Sequence, residues 1–189
     1  MPTHLEFRTL YNSTGEISVW SWLITGGLFK TTGTTYWAAP NTGANNNFVF
    51  NGRGSGIRTS AGSFTSFKNI LRLWASTETL GSAYISDIAF YNSTESSIAS
   101  LTKEDGCCIR LIKDATTLTD GQTGTYVGND GKVYRTICIG TQEWLADNLC
   151  ETLYRNGDLI PEVTDNAAWV ALSKGARCSY NNDESNAHA

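Results

Sequence analysis

Apolar positions along the chain fall in short runs broken by Ser, Thr, Gly and Asn, a texture of strands and turns with few helices. At the start, Thr3-His4-Leu5-Glu6 is a capping box preceded by Pro2. It predicts a helix from Thr3 to about Ser13, with Leu5, the Arg8 stem, Thr9 and Leu10 as a partly apolar face. Residues 26–63 read as loop-rich, with GG, TTGTT, PNTGANNN and NGRGSG punctuating short apolar pieces. Strands are predicted at Ile70–Trp74, Tyr84–Tyr91, Cys107–Ile112 and Lys132–Ile139. Between the last two, Lys113–Thr125 is polar and Gly/Thr-rich and reads as a linker. Asp165 caps a short helix running through Ser173, with Ala168, Trp169 and Leu172 as its buried side and Gly175 as its stop.

Composition narrows the class. The 189 residues suffice for one ordinary domain with a real core. Ser 17, Thr 24, Asn 15 and Gly 18 together form about 39% of the chain, yet three Pro and 11% aromatics argue against a disordered segment. A net charge of −4 argues against a nucleic-acid partner, which calls for a basic patch. The charge is uneven. Residues 1–114 carry nine Lys/Arg and eight Asp/Glu, net +1, while residues 115–189 carry five and ten, net −5. Two halves of opposite bias could complement each other within a chain or between chains.

No apolar run is long enough to cross a membrane, so no membrane insertion is expected. The opening MPTHLEFRTL lacks a basic segment followed by an apolar one, so the reading is of a chain made in a cytoplasm and not exported by the general secretory route. Cys107, Cys108, Cys138, Cys150 and Cys178 are odd in number and match no zinc spacing, which favours free, buried thiols over a disulfide framework.

The second half carries a dense, ordered motif. Asp130-Gly131-Lys132-Val133-Tyr134, Ile139-Gly140-Thr141-Gln142-Glu143-Trp144-Leu145-Ala146-Asp147-Asn148-Leu149, Tyr154-Arg155-Asn156-Gly157, Ile160-Pro161, Thr164-Asp165-Asn166, Trp169 and Tyr180-Asn181-Asn182-Asp183 resemble the opening of the Fibrobacter succinogenes major paralogous domain. The first half resembles the rest of that domain. The matching stretches are Pro2-Thr3 with Phe7 and Leu10, Gly26–Lys30, Thr31–Trp37, Asn41–Asn45, Gly52–Arg58, Gly62–Phe64, Leu73–Glu78 and Gly106–Asp114. The order is inverted, and the short aromatic segment that joins the two parts in the family is missing. A tandem array cut at both ends would give the same text. Cys107 stands where the family has an aromatic and Leu111 where it often has Cys, so no family disulfide is carried over.

The resemblance implies a single α+β domain of C-type-lectin-like type, circularly permuted over residues 1–189, with a twisted, mainly antiparallel sheet, about two helices and long loops. Residues 1–114 would be the C-terminal part of the family pattern, 115–125 the linker and 126–189 the N-terminal part. In that architecture the first and last strands pair, which makes a short link between the halves sensible.

Candidate chemistry is sparse. His4 and His188 have no visible partner, no G-x-S-x-G, H-E-x-x-H or P-loop occurs, and Asn51–Gly56 reads as a tight turn. Asn181, Asn182 and Asp183 could offer oxygen to calcium, though the spacing suits a solvated loop better. Trp74, Trp144 and Trp169 read as core. Trp20, Trp22, Tyr36, Trp37, Tyr84 and Tyr91 flank polar loops or strands and form the candidate ligand-binding set, since aromatic rings stack on sugars and partner proteins.

These features favour a non-enzymatic binding or structural protein without an obligatory cofactor. The leading expectation is a phage virion component, a tail or head fibre or a decoration protein, recognising a host surface glycan or protein or a neighbouring virion protein. The host group, Bacteroidetes-type bacteria, is implied by the resemblance. A homo-oligomer is expected, a trimer being the usual choice for fibres. The alternative is a bacterial cell-surface adhesive module. A third reading, a formylglycine-generating-type enzyme, needs reactive cysteines: Cys107 or Cys108 buried against the sheet counts against it, and a paired, accessible thiol in a cleft counts for it.

Overall fold

Thr3 opens the first helix by a reciprocal cap: its hydroxyl accepts the Glu6 N–H at 3.2 Å, and Glu6 Oε2 accepts the Thr3 N–H at 2.6 Å. This helix, α1, spans His4–Asn12. The computed structural model describes residues 1–15, 25–91 and 97–187. After α1 come α2 (Gly26–Phe29), β1 (Ser55–Arg58), β2 (Phe64–Phe67), β3 (Ile70–Thr79), β4 (Ser82–Phe90) and β5 (Ser97–Thr102). Then follow β6 (Ile112–Lys113), β7 (Thr123–Val127), β8 (Val133–Ile139), β9 (Gln142–Leu145) and α3 (Asn166–Val170), with short 3-10 turns at Tyr180–Asn182 and Glu184–Asn186. The class is α+β, with mostly antiparallel sheets and few helices. Among the described residues no helix is long and apolar enough to cross a membrane.

The buried face of α1 is Phe7, Leu10 and Tyr11, spaced i, i+3, i+4, while Leu5 is exposed. The expected face therefore rotates: the aromatics at 7 and 11 bury more area than Leu5 could, and they win the core side. The α3 helix begins at Asp165, whose carboxylate accepts the Ala168 N–H, but it stops at Val170 and buries only Trp169 of the three expected residues. The predicted Cys107–Ile112 strand reduces to bridges at Gly106 and Cys108 and the two-residue β6. The expected linker ends in a strand, β7, which forms a sheet edge.

Among the described residues the strands form three sheets, β1-β2, β3-β4-β5 and β6-β9-β8-β7. In the last, β6 from the first half lies beside β9 from the second, pairing Ile112 with Trp144 and Lys113 with Glu143. The same strap continues upstream, where Leu111 O accepts the Leu145 N–H and Ile109 O accepts the Leu149 N–H. Within one chain, then, the first half is joined to the second by backbone ladder. The core repeats that union: Trp144, fully buried, meets Phe7 of α1 at 5.2 Å and Phe50 at 6.2 Å between ring centres.

Two fully or nearly fully buried arginines tie the halves further. Arg110 donates to Asn148 Oδ1 (3.0 Å), Leu145 O (3.2 Å), Asn51 O (3.0 Å) and Phe50 O. Arg58 donates to Gly62 O (3.1 Å), Val163 O (2.6 Å), Thr164 O (3.1 Å) and Asn166 Oδ1 (3.0 Å), its guanidinium lying between the rings of Phe64 and Trp169. Neither has a carboxylate among these acceptors. Carbonyl dipoles hold both charges.

Carboxylates clamp the joined sheet. Glu143 accepts from Thr116 at 2.5 Å and Thr136 at 2.8 Å and lies 3.3 Å from Lys113 Nζ. Asp147 accepts from Arg135, and Asp130 from Lys132 and Thr152. Burial raises the pKa of all three, but the hydrogen bonds and cations outweigh it, and each sits below the usual carboxylate range. A carboxylate depressed in the folded state contributes stability that is present above its unfolded pKa and is lost as pH falls through the folded one. The urea midpoint is therefore expected to stay level down to about pH 5 and to fall below about pH 4. Glu143→Gln is expected to flatten that fall, and an unchanged pH profile in the variant would contradict the clamp.

Candidate functional site

Of the aromatic candidates, Trp20 and Trp22 lie outside the described residues. Trp37 is corrected: it is fully buried, with its indole N–H donated to Gly52 O at 2.9 Å and Lys30 Nζ 5.4 Å from its ring centre. A neighbourhood of Thr and Gly did not keep it outside, because the 31–52 loop folds back over it through Thr31 N to Gly52 O and Gly52 N to Phe29 O. Tyr36, Tyr84 and Tyr91 are half-buried, each on a different support. Arg53 covers the Tyr36 ring at 4.2 Å, His4 stacks on Tyr84 at 4.7 Å, and the Tyr91 backbone is held by Asn69 and Thr42. All three pack against the hydrophobic core.

Asn181 and Asn182 adopt left-handed backbone conformations, Asn182 Nδ2 donates to Thr164 O at 2.9 Å, and the Asp183 carboxylate accepts the Ser185 N–H. These groups shape the turn. Among the described residues no cluster of three or more His, Cys, Asp or Glu is placed to hold a metal ion.

The structure instead builds a cleft between the halves, with a volume of ≈ 180 Å³. β1 and β2 give it Ser55, Arg58 and Phe64, the bridge segment gives Cys107 and Cys108, and the second half gives Trp169, Arg177 and Tyr180. Two glycines make room for it. A Cβ at Gly106 would come within 3.0 Å of the Trp169 ring, and one at Gly56, whose φ is +67°, would meet Thr65 O at 2.7 Å. Tyr180 stacks on Phe67 at 4.5 Å and fixes the opposite wall.

The electrostatics are those of a donor-rich hollow. The Trp169 indole N–H and the Arg177 Nε–H are buried without an acceptor, while other Arg177 nitrogens face Glu162 at 2.6 Å and Glu184 at 4.0 Å. The cysteines are thiols, not disulfides. Burial pushes Cys108 and Cys178 up, with Arg110 pulling the first back and Arg58 the second. Burial likewise raises Cys150 to about 11. At neutral pH these groups stay protonated, which makes them poor nucleophiles.

The sequence points to neither Arg58 nor Arg177 as a site residue, and Trp169 reads there as core. No family model, curated protein or solved structure matches the chain, so the resemblance is carried by its motifs alone.

Proposed function

We propose that the chain is a non-catalytic recognition protein of a phage virion, a fibre or decoration component that contacts a host-surface glycan or protein or a neighbouring virion protein. The observation that carries it is the cleft between the halves, a hollow with unsatisfied N–H donors and protonated thiols, suited to holding a polar group and not to attacking one. The permuted C-type-lectin-like reading belongs to the same proposal. Support comes from the ladder joining residues 109–113 to 143–149, which lets one chain complete a domain written in swapped order. Cys107, Cys108 and Cys178 on the cleft wall are the feature an enzyme of the formylglycine-generating type would need, and the raised pKa values of Cys108 and Cys178 weigh against that use.

Mass spectrometry of purified particles, with labelled protein incubated on Bacteroidetes-type host cells, tests the reading. The protein is expected in several copies per particle and is expected to bind either the cells or a particle protein. Absence from particles, or thiol-dependent oxidation of a cysteine peptide by the purified chain, would overturn it.

A further inference from the structure

We infer that the open edge of β7 is a self-association surface, on which a second copy of this chain lays its own β7 antiparallel across a two-fold axis. Gly128 donates its N–H to Lys132 O at 2.8 Å, Cys138 donates its N–H to Gln122 O at 2.9 Å, and the register between them is unbroken. The even-numbered residues of β7 therefore bond to β8, and the N–H and C=O groups of Thr123, Thr125 and Val127 point away from it. Among the described residues none of these groups has a hydrogen-bond partner, and all three side chains are exposed.

Outer strands commonly carry devices that keep other strands off, and β7 lacks them. β6 is two residues long and includes Lys113, β2 is kinked by a left-handed Ser66 with Lys68 beyond it, and β5 runs into the Lys103–Glu78 ion pair. β7 reads TGTYV, without charge, proline or bulge. The acids beside its ends are engaged elsewhere: Asp120 accepts the Gly140 N–H at 2.7 Å, and Asp130 is held by Lys132 and Thr152.

The occupant that fits is a second copy, because an uncharged strand meets itself without repulsion. With Thr125 on the axis, Thr125 faces its own counterpart and Thr123 faces the counterpart of Val127, so every outward N–H and C=O on both edges is paired. A register shifted by two residues leaves some of them open. The side chains agree. Val127 and Val133, 61% and 67% exposed, sit directly opposite each other on β7 and β8, and the second copy's Thr123 methyl extends that apolar pair. The contact is small against the roughly 1,200–2,000 Å² of a stable interface, so the dimer is weak and fills at high concentration. It does not depend on what the cleft holds.

Analytical ultracentrifugation of the full chain from about 1 μM to about 1 mM tests the surface. The mass is expected to rise reversibly from one chain toward two. Thr125→Pro removes an N–H that β8 does not use, and is expected to weaken the dimer at least about tenfold with an unchanged circular dichroism spectrum. Thr125→Lys and Thr125→Glu each set like charges opposite each other on the axis and are expected to weaken it likewise. An equal mixture of these two variants is expected to associate at least about tenfold more tightly than either alone, a readout that holds even where Thr125→Pro costs the fold. A monomer over the whole range, or a trimer, overturns the two-fold contact. Parent affinity in folded Thr125→Pro, or a mixture no tighter than its parts, overturns the β7 edge.

Discussion

Arg110→Met is expected to remove about 3–5 kcal/mol of stability, a large part of the roughly 5–15 kcal/mol a domain of this kind has. The reason is what the substitution leaves behind. Methionine keeps most of the stem volume, but Phe50 O, Asn51 O, Leu145 O and the Asn148 amide lose their donor in the interior. A buried acceptor without a partner costs about 1–3 kcal/mol. Replacing a buried ion pair by apolar residues is often harmless because both partners go, whereas backbone carbonyls cannot be removed. Arg110→Lys should not rescue, since one ammonium on a flexible stem cannot span acceptors fixed for a planar fork. Burial already lowers the Arg110 pKa to about 9, partly countered by Asp147, so the group remains charged at neutral pH. Urea unfolding followed by tryptophan fluorescence checks the prediction. An Arg110→Met midpoint equivalent to less than about 1 kcal/mol of loss would show that water or side-chain shifts satisfy these carbonyls.

What could be read beforehand was whatever is determined locally. The Thr3 cap needs only Glu6 three residues on, and it forms as written. The β3, β4 and β8 strands carry enough apolar alternation to be seen, with their ends misplaced by a few residues. The strands that were missed have reasons. In β7 alternate residues face solvent along a sheet edge, so TGTYV looks like linker; β5 reads SIASLT, too polar to stand out. The segment 106–113 is apolar like a strand, but it crosses between halves, exchanging bonds with β1, β3 and β9 in turn, and so forms bridges instead of one ladder.

The site was less legible than the fold. Its walls come from positions as far apart in sequence as Arg58 and Trp169, and no local window of sequence contains both. Solvent exposure had to be guessed from neighbours, which failed for Trp37, where the polar loop is the lid over the ring and not the path to it. Asn and Gly content was a better guide to turns than to recognition. Asn41, Asn46, Asn51, Asn181 and Asn182 all sit at positive φ, where a short polar side chain is tolerated.

Trp144→Ala is expected to cost about 3–5 kcal/mol as well, but for a different physical reason. The ring is fully buried between Phe7 and Phe50, both from the first half, while its own strand belongs to the second. Deleting it removes the apolar area through which the halves hold each other and leaves a cavity that two rigid walls, α1 and the β8-β9 pair, cannot close. Trp144→Phe retains much of the contact and gives up the indole bond to Gln142 Oε1 at 3.2 Å, so it should cost clearly less. Leu80→Ser is the control: at the β3–β4 turn this leucine is fully exposed and should change stability by no more than about 0.5 kcal/mol. Thermal unfolding of the three variants decides between two pictures of the chain. If the halves form one cooperative unit, Trp144→Ala lowers a single transition as a whole. A variant in which one half melts early while the other keeps its parent midpoint would mean that the β6-β9 ladder and the buried arginines, without this ring, do not couple them.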